Sequence, residues 1–354
     1  MGAVSEGRAG MTVGANEALA RDVVERLWQA GVRTFVVCPG GRNAPLVETL
    51  EHVGQEFAEV LHFFDERSAA FFALGRARRD RSPVAVVTTS GTAAAELLPA
   101  IVEAFYEDER LIAVTADRPK RFRGTGAPQA IDQRGLFGHH VVWSADVDDA
   151  GAEWSLAGLQ GPAHLNVCFD EPLLDDWRGA PFWLRQAGRG APSPDAPSSS
   201  GTDAPIGGDA AQTDVVRAFL AVHARPLVML GALPEPADQH AVQAFCRALG
   251  APVLAEASSH LWGLLDPLML QGREASAQAL VREGRFDAIL RIGGVPSFRL
   301  WRDLEDRVTL PLLSVSRRRW PGLTRGDMVH ASMQRPLPLP EPPAPWSPDQ
   351  AREA

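Results

Sequence analysis

The sequence predicts an α/β protein made of two doubly wound parallel-sheet domains, and three observations carry that prediction. Short apolar runs alternate with amphipathic stretches of helical period along most of the chain, the pattern of buried parallel strands covered by helices on both faces. Glycine and proline fall at the ends of the apolar runs, where tight turns are needed. The segment APSPDAPSSSGTDAPIGGDAA, residues 191–211, is nearly free of large apolar groups and divides the alternation in two.

The elements follow in order. Ala18, Leu19, Val23, Val24 and Leu27 share one helical face, with Asn16 as a plausible N-cap. The run Thr34-Phe35-Val36-Val37-Cys38, stopped by Pro39-Gly40-Gly41, reads as a buried strand and a tight turn. A helix at about 43–53 follows, then a strand near 61–64, a helix over 65–79, a strand over 84–88, a helix at about 91–106 and a strand over 111–115. Ala163 to Val167, after the Gly161-Pro162 break, is the expected last strand of the first domain. Beyond the linker, strands are expected at 227–230, 253–255, 288–292 and 312–315, with helices near 238–249 and 275–283. The organisation is a flexible N-terminus at 1–13, a first domain at 14–185, a linker at 186–212, a central domain at 213–334 and a proline-rich tail at 335–354.

Composition narrows the function classes. The 354 residues are 45% hydrophobic and 22% charged, an ordinary globular balance. A net charge of -9 gives no reason to expect a nucleic-acid or membrane-surface partner, so any anion site must be a local group of arginines. Cys38, Cys168 and Cys246 are far apart without CxxC spacing, which argues against a disulfide framework or a zinc site. With no signal-like N-terminus and no long apolar run, a cytoplasmic protein is expected.

Four clusters stand at the carboxyl ends of first-domain strands, the edge at which open α/β sheets bind ligands. They are Pro39-Gly40-Gly41-Arg42-Asn43, Asp65-Glu66-Arg67-Ser68, Thr88-Thr89-Ser90-Gly91-Thr92, and Thr115-Ala116-Asp117-Arg118-Pro119 with Pro128-Gln129 and Gln133 downstream. Taken singly, each reads as well as an ordinary strand-to-helix turn, and Asp65 as a simple N-cap.

In this order and spacing the ensemble resembles thiamine-diphosphate enzymes, and within them the 2-succinyl-5-enolpyruvyl-6-hydroxy-3-cyclohexene-1-carboxylate (SEPHCHC) synthase family of menaquinone biosynthesis. The matching text is PGGRNAPL, HFFDERSAAFFALG, VAVVTTSGTAAAELLPAIVEA, LIAVTADRP, GAPQAIDQRGLFG and GPAHLNVCFDEPL, with GGVPSFRLW a weaker match in the second domain. The resemblance implies a pyrimidine-binding first domain followed by a central domain. It implies that Glu66, near-buried, hydrogen-bonds the pyrimidine ring nitrogen of thiamine diphosphate and favours the imino tautomer that activates the coenzyme. It places Pro39, Ser90, Gly91 and Thr92 against the cofactor. Arg42, Arg118, Gln129 and Arg299 would hold the carboxylates of two small-molecule substrates, isochorismate and 2-oxoglutarate. The implied reaction decarboxylates 2-oxoglutarate and adds the resulting carbanion to isochorismate.

The chain departs from that pattern at three points. Gly41 stands where the family has serine, and Pro128 where it has asparagine, each removing a hydrogen-bonding group. The GDG motif and later asparagine that bind Mg2+ or Mn2+ and the diphosphate are absent, since Asn16, Asn43 and Asn166 are the only asparagines. The metal site is therefore expected on a partner chain or on a domain missing from this sequence, within a homo- or hetero-oligomer. A non-catalytic regulatory or binding homologue, a thiamine-diphosphate subunit for another 2-oxo acid, and a fragment of a longer protein are the competing readings.

Overall fold

A computed structural model describes residues 14–53, 57–174, 209–270, 273–331 and 337–341. The expected N-terminal segment, most of the linker and most of the tail lie outside the described residues. The chain divides into two compact units between residues 201 and 202.

The first unit is a six-stranded, all-parallel sheet in the order β2-β1-β3-β4-β6-β5. Its strands are β1 (Thr34–Val37), β2 (Glu59–His62), β3 (Val84–Thr88), β4 (Leu111–Asp117), β5 (Trp143–Val147) and β6 (Ala163–Cys168). The helices are α1 (Ala15–Gln29), α2 (Ala44–Glu51), α3 (Glu66–Asp80), α4 (Thr92–Ala95) and α5 (Leu98–Tyr106). Side-chain alternation along β1 sorts the two faces. Phe35 and Val37 pack with Leu19, Val23 and Leu27 of α1 and Leu46 and Leu50 of α2, whereas Val36 and Cys38 pack with Ala70 and Ala73 of α3 and Ile101 of α5. Each fully buried Val, Leu or Ile contributes about 1.5–3 kcal/mol by leaving water. The chain runs from β1 outward to β2 and then returns to β3 on the other side of β1. The turns after β1 and β3 therefore diverge at a topological switch point.

The second unit repeats the plan with five parallel strands in the order β11-β10-β9-β7-β8. These are β7 (Pro226–Leu230), β8 (Val253–Ala255), β9 (Ala288–Ile292), β10 (Leu312–Ser316) and β11 (Asp327–His330). Helices α6 (Asp209–Val222) and α7 (Pro236–Leu249) cover one face, and α8 (Arg273–Arg282) and α9 (Arg299–Asp303) cover the other.

The differences from expectation have local causes. The helix expected at 91–106 is broken into α4 and α5, because Pro99 cannot donate to the preceding turn and starts a new helix instead. The strand expected at 61–64 lies at 59–62, where Glu59 and His62 pair with Thr34 and Val37 and leave an edge strand too exposed to show an apolar run. Asn16 does not cap α1, which is capped at Gly14. Its amide instead donates to the carbonyls of Asp170 and Pro172, tying the start of α1 to the segment after β6. β5, β11, α6 and α9 are additional.

Candidate active-site edge of the first unit

The turn after β1 is held by one side chain. Asn43, wholly buried, accepts from the Gly40 amide (2.8 Å) and donates to the Cys38 carbonyl (2.9 Å). That closes the loop tightly enough for Gly40 to press on the turn after β3. A Cβ at Gly40 would lie 2.6 Å from the Thr89 Cβ, so no other residue fits without a shift. Thr89 Oγ1 in turn accepts from the Arg42 amide at 3.2 Å.

The turn after β3 is pinned from the other side. Gly91 has a φ of +84°, and a Cβ there would sit 2.9 Å from Gln129 Cγ. Its amide donates to Gln133 Oε1 at 2.9 Å. Ser90 Oγ donates to the Gln129 carbonyl (2.9 Å), and Gln129 Nε2 donates back to the Ser90 carbonyl (3.1 Å). Gln129 itself is left-handed, with a φ of 57°. Ser90 and Gly91 are buried, while Pro39 and Thr92 are exposed at the rim.

Glu66 is the first residue of α3, and the Asp65 carboxylate caps the helix by accepting from the Ser68 amide at 2.7 Å. Glu66 is only partly buried, against the expectation of near-burial. It follows β2, an edge strand, so this unit supplies protein on one side of it only. Among the described residues its carboxylate has no hydrogen-bond or ion-pair partner. It lies close to Cys38, whose thiol is pushed up to about 12 by burial and then by the charges of Glu66 and Asp65.

The two first-domain arginines differ. Arg42 is 8% exposed, and its terminal nitrogens are committed within the chain, one donating to the Phe169 carbonyl (3.0 Å) and one paired with Glu171 (2.9 Å). Arg118 donates through Nε to the Pro128 carbonyl at 3.0 Å and lies 5.7 Å from the Phe122 ring centre. Its terminal nitrogens have no partner among the described residues. It lines a cavity of about 450 Å³ with Asp117, Phe122, Arg123, Ile131 and Arg134. Arg118 is the member of the expected set that lines this cavity. Arg299 belongs to the second unit, at the start of α9, 69% exposed and paired with Asp303.

Behind these turns lies a buried polar network whose role the sequence did not reveal. Asn166 on β6 accepts from Thr115 Oγ1 (2.9 Å) and Gln133 Nε2 (2.8 Å), and donates to Asp117 (3.0 Å) and Asp146 (2.9 Å). Arg123 grips Asp146 through two bonds, at 2.8 and 2.6 Å. Burial would raise the Asp146 carboxyl, but the bonds from Arg123 and Asn166 outweigh it and hold the group below the usual range. Burial also pushes the His164 imidazole down to about 4. The signal for Gln133 and Asn43 was present only as quoted motif residues, because their partners are distant in sequence. Among the described residues, no group of three or more His, Cys, Asp or Glu side chains is placed to hold a metal ion, and no helix is long and apolar enough to cross a membrane.

Residues 18–136 match the thiamine pyrophosphate enzyme, N-terminal TPP binding domain family. The chain is 42% identical over 316 residues to the SEPHCHC synthase of Bdellovibrio bacteriovorus, covering 88% of this chain and 57% of that protein. It is 39% identical over 317 residues to that of Akkermansia muciniphila (84% and 53% covered) and 36% over 329 residues to that of Rubrobacter xylanophilus (83% and 53%). The chain spans about half the length of the curated relatives it matches.

Proposed function

We propose, on the premise that this chain is a homologue of the SEPHCHC synthases over its N-terminal and central units, that it supplies the pyrimidine-side half of a thiamine-diphosphate active site. The complete enzyme would be a cytoplasmic transferase of menaquinone biosynthesis that decarboxylates 2-oxoglutarate and joins the remaining fragment to isochorismate. The observation that carries the reading is the Glu66 carboxylate. Among the described residues it has no hydrogen-bond or ion-pair partner, and it stands at the start of α3 on the same sheet edge as the turns after β1 and β3.

These residues fit the cofactor's aminopyrimidine ring. Glu66 is free to share a proton with a ring nitrogen, which an internally paired acid could not do. Gly40 and Gly91 let the turns after β1 and β3 pack tightly on Thr89 and Gln129, and the Gln129–Ser90 and Gln133–Gly91 bonds hold that main chain still. When bound, thiamine diphosphate would supply a nucleophilic thiazolium carbon and an electron sink for decarboxylating a 2-oxo acid. Arg118, whose terminal nitrogens have no partner among the described residues, orients a substrate carboxylate as a fork. Arg42, Gln129 and Arg299 are the further carboxylate contacts in this reading. The diphosphate and its Mg2+ or Mn2+ are held by a separate diphosphate-binding domain, on a partner chain or on further sequence, within an oligomer.

The test is reconstitution of the chain with a diphosphate-binding partner, thiamine diphosphate and magnesium, following isochorismate consumption. Glu66→Gln keeps the size of the side chain and removes the acid. The expected result is loss of turnover with an unchanged melting curve. Equal rates for the two proteins would remove the assigned role.

A further inference from the structure

The cation that the sequence assigns to a substrate carboxylate already carries one from its own chain. Arg42 extends from the turn after β1 to the segment after β6, where it meets the Phe169 carbonyl and the Glu171 carboxylate. We infer that Glu171 is an internal occupant of the carboxylate seat on Arg42 and sets substrate affinity by yielding that seat to a substrate carboxylate. The inference rests on the proposed function and adds a residue that governs its affinity.

Four features support it. The pair is lopsided: Arg42 is 8% exposed and Glu171 is 64% exposed, so the acid can swing into water without disturbing the core while the cation stays. The Phe169 carbonyl, on the other terminal nitrogen, keeps the guanidinium in place when Glu171 departs. Glu171 Oε1 meets one terminal nitrogen while the Phe169 carbonyl takes the other, so a carboxylate that forks along the remaining edge of the guanidinium can replace Glu171. Finally, the Glu171 backbone is anchored while its side chain is not. Its amide donates to Asp170 Oδ1 at 2.8 Å, and Asp170 is gripped by both terminal nitrogens of Arg121 at 2.7 and 2.6 Å. Among the described residues Arg42 is the one partner of the Glu171 carboxylate.

The arrangement also has a physical purpose. A nearly buried guanidinium left without an anion is costly, and Glu171 neutralises Arg42 whenever substrate is away. Substrate then competes with a tethered carboxylate, and its apparent dissociation constant is the intrinsic one divided by the fraction of time the seat is empty.

The experiment uses the full chain, titrated calorimetrically with 2-oxoglutarate and, separately, with isochorismate. Glu171→Gln should tighten one of the two by about two- to five-fold, the range expected from a partly exposed ion pair. Arg42→Gln should weaken the same ligand, and Glu171→Gln should bring no gain in the Arg42→Gln background. Melting curves establish that each variant is folded. The inference is overturned if Glu171→Gln binds neither acid more tightly, if the gain persists without Arg42, or if neither acid binds any folded variant. The Glu66→Gln reconstitution is read on thiamine-diphosphate-dependent turnover at saturating substrate, where a change of affinity at Arg42 has no effect, so failure of the proposed function is told apart from failure of this inference.

Discussion

Replacing Gln133 with leucine tests whether one buried amide holds the turn after β3 in place. Gln133 is wholly buried and makes three bonds: it accepts from Gly91 N (2.9 Å) and donates to Asn166 Oδ1 (2.8 Å) and to the Ala116 carbonyl (3.3 Å). Leucine keeps much of the volume and removes all three. Asn166 Oδ1 retains the Thr115 hydroxyl, and the 3.3 Å bond is the weakest of the set, so the main loss is the Gly91 amide. A buried donor left unsatisfied costs about 1–3 kcal/mol, and with the Asn166 bond the total is about 2–4 kcal/mol. That is a roughly 30-fold or greater increase in opening of the turn. Hydrogen–deuterium exchange of peptides covering 88–95 reads the local effect, and urea unfolding reads the global one. Gln133→Glu is the companion variant. It keeps the acceptor for Gly91 but turns an acceptor toward Asn166 Oδ1 and Ala116 O, so it should also destabilise while leaving Gly91 exchange slow. If Gln133→Leu matches wild type within about 0.5 kcal/mol with unchanged exchange at Gly91, the argument is wrong.

Three further outcomes are expected. Gly40→Ala should cost about 1–3 kcal/mol in thermal or urea unfolding, because its Cβ would fall 2.6 Å from the Thr89 Cβ. The neighbouring Gly41→Ser should leave stability within about 0.5 kcal/mol, since nothing lies within 4 Å of a Cβ there; raised turnover after reconstitution would show that the missing hydroxyl matters. For pH, burial lowers His164 from 6.5 to about 4. The unfolded chain therefore takes the proton first, and stability present above pH 6.5 is lost as pH falls toward 4, by at most about 1.4 kcal/mol per unit. Urea unfolding at pH 7, 5.5 and 4.5 should show a shallower decline for His164→Gln than for wild type.

Much of the fold was legible because burial on both faces writes itself as continuous apolar sequence. β3, β8 and β9 match their expected bounds, and each is buried throughout. β5 and β11 were not legible for the opposite reason. They are sheet edges, with burial too uneven to form an apolar run, and β5 carries Asp146 in place of one. The site was legible as turns but not as bonds. Glu66, Ser90, Gly91 and Arg118 stand at the carboxyl edge where strand ends predict a ligand. The sequence could not show that Gln133 reaches Gly91 across 42 positions, or that Arg42 meets Phe169 across 127. Partners that distant are set by strand order, which composition and periodicity do not encode. The same limit explains Asn16, whose local pattern suits a cap while its amide serves a segment 154 positions away.

The network behind the turns has a direction that follows from counting hydrogens. Thr115 has a single hydroxyl proton and gives it to Asn166 Oδ1, so the 2.8 Å contact with His164 Nε2 must take its proton from the imidazole. Asn166 consequently turns its oxygen toward Thr115 and Gln133 and its NH2 toward the two aspartates. Exchange of that one NH2 for oxygen, as in Asn166→Asp, would change neither shape nor volume. It would nonetheless gather three carboxyl groups around Arg123 and strip two acids of a shared donor. At this position a single-atom edit, invisible to any measure of size, is enough to undo the floor on which the turns rest.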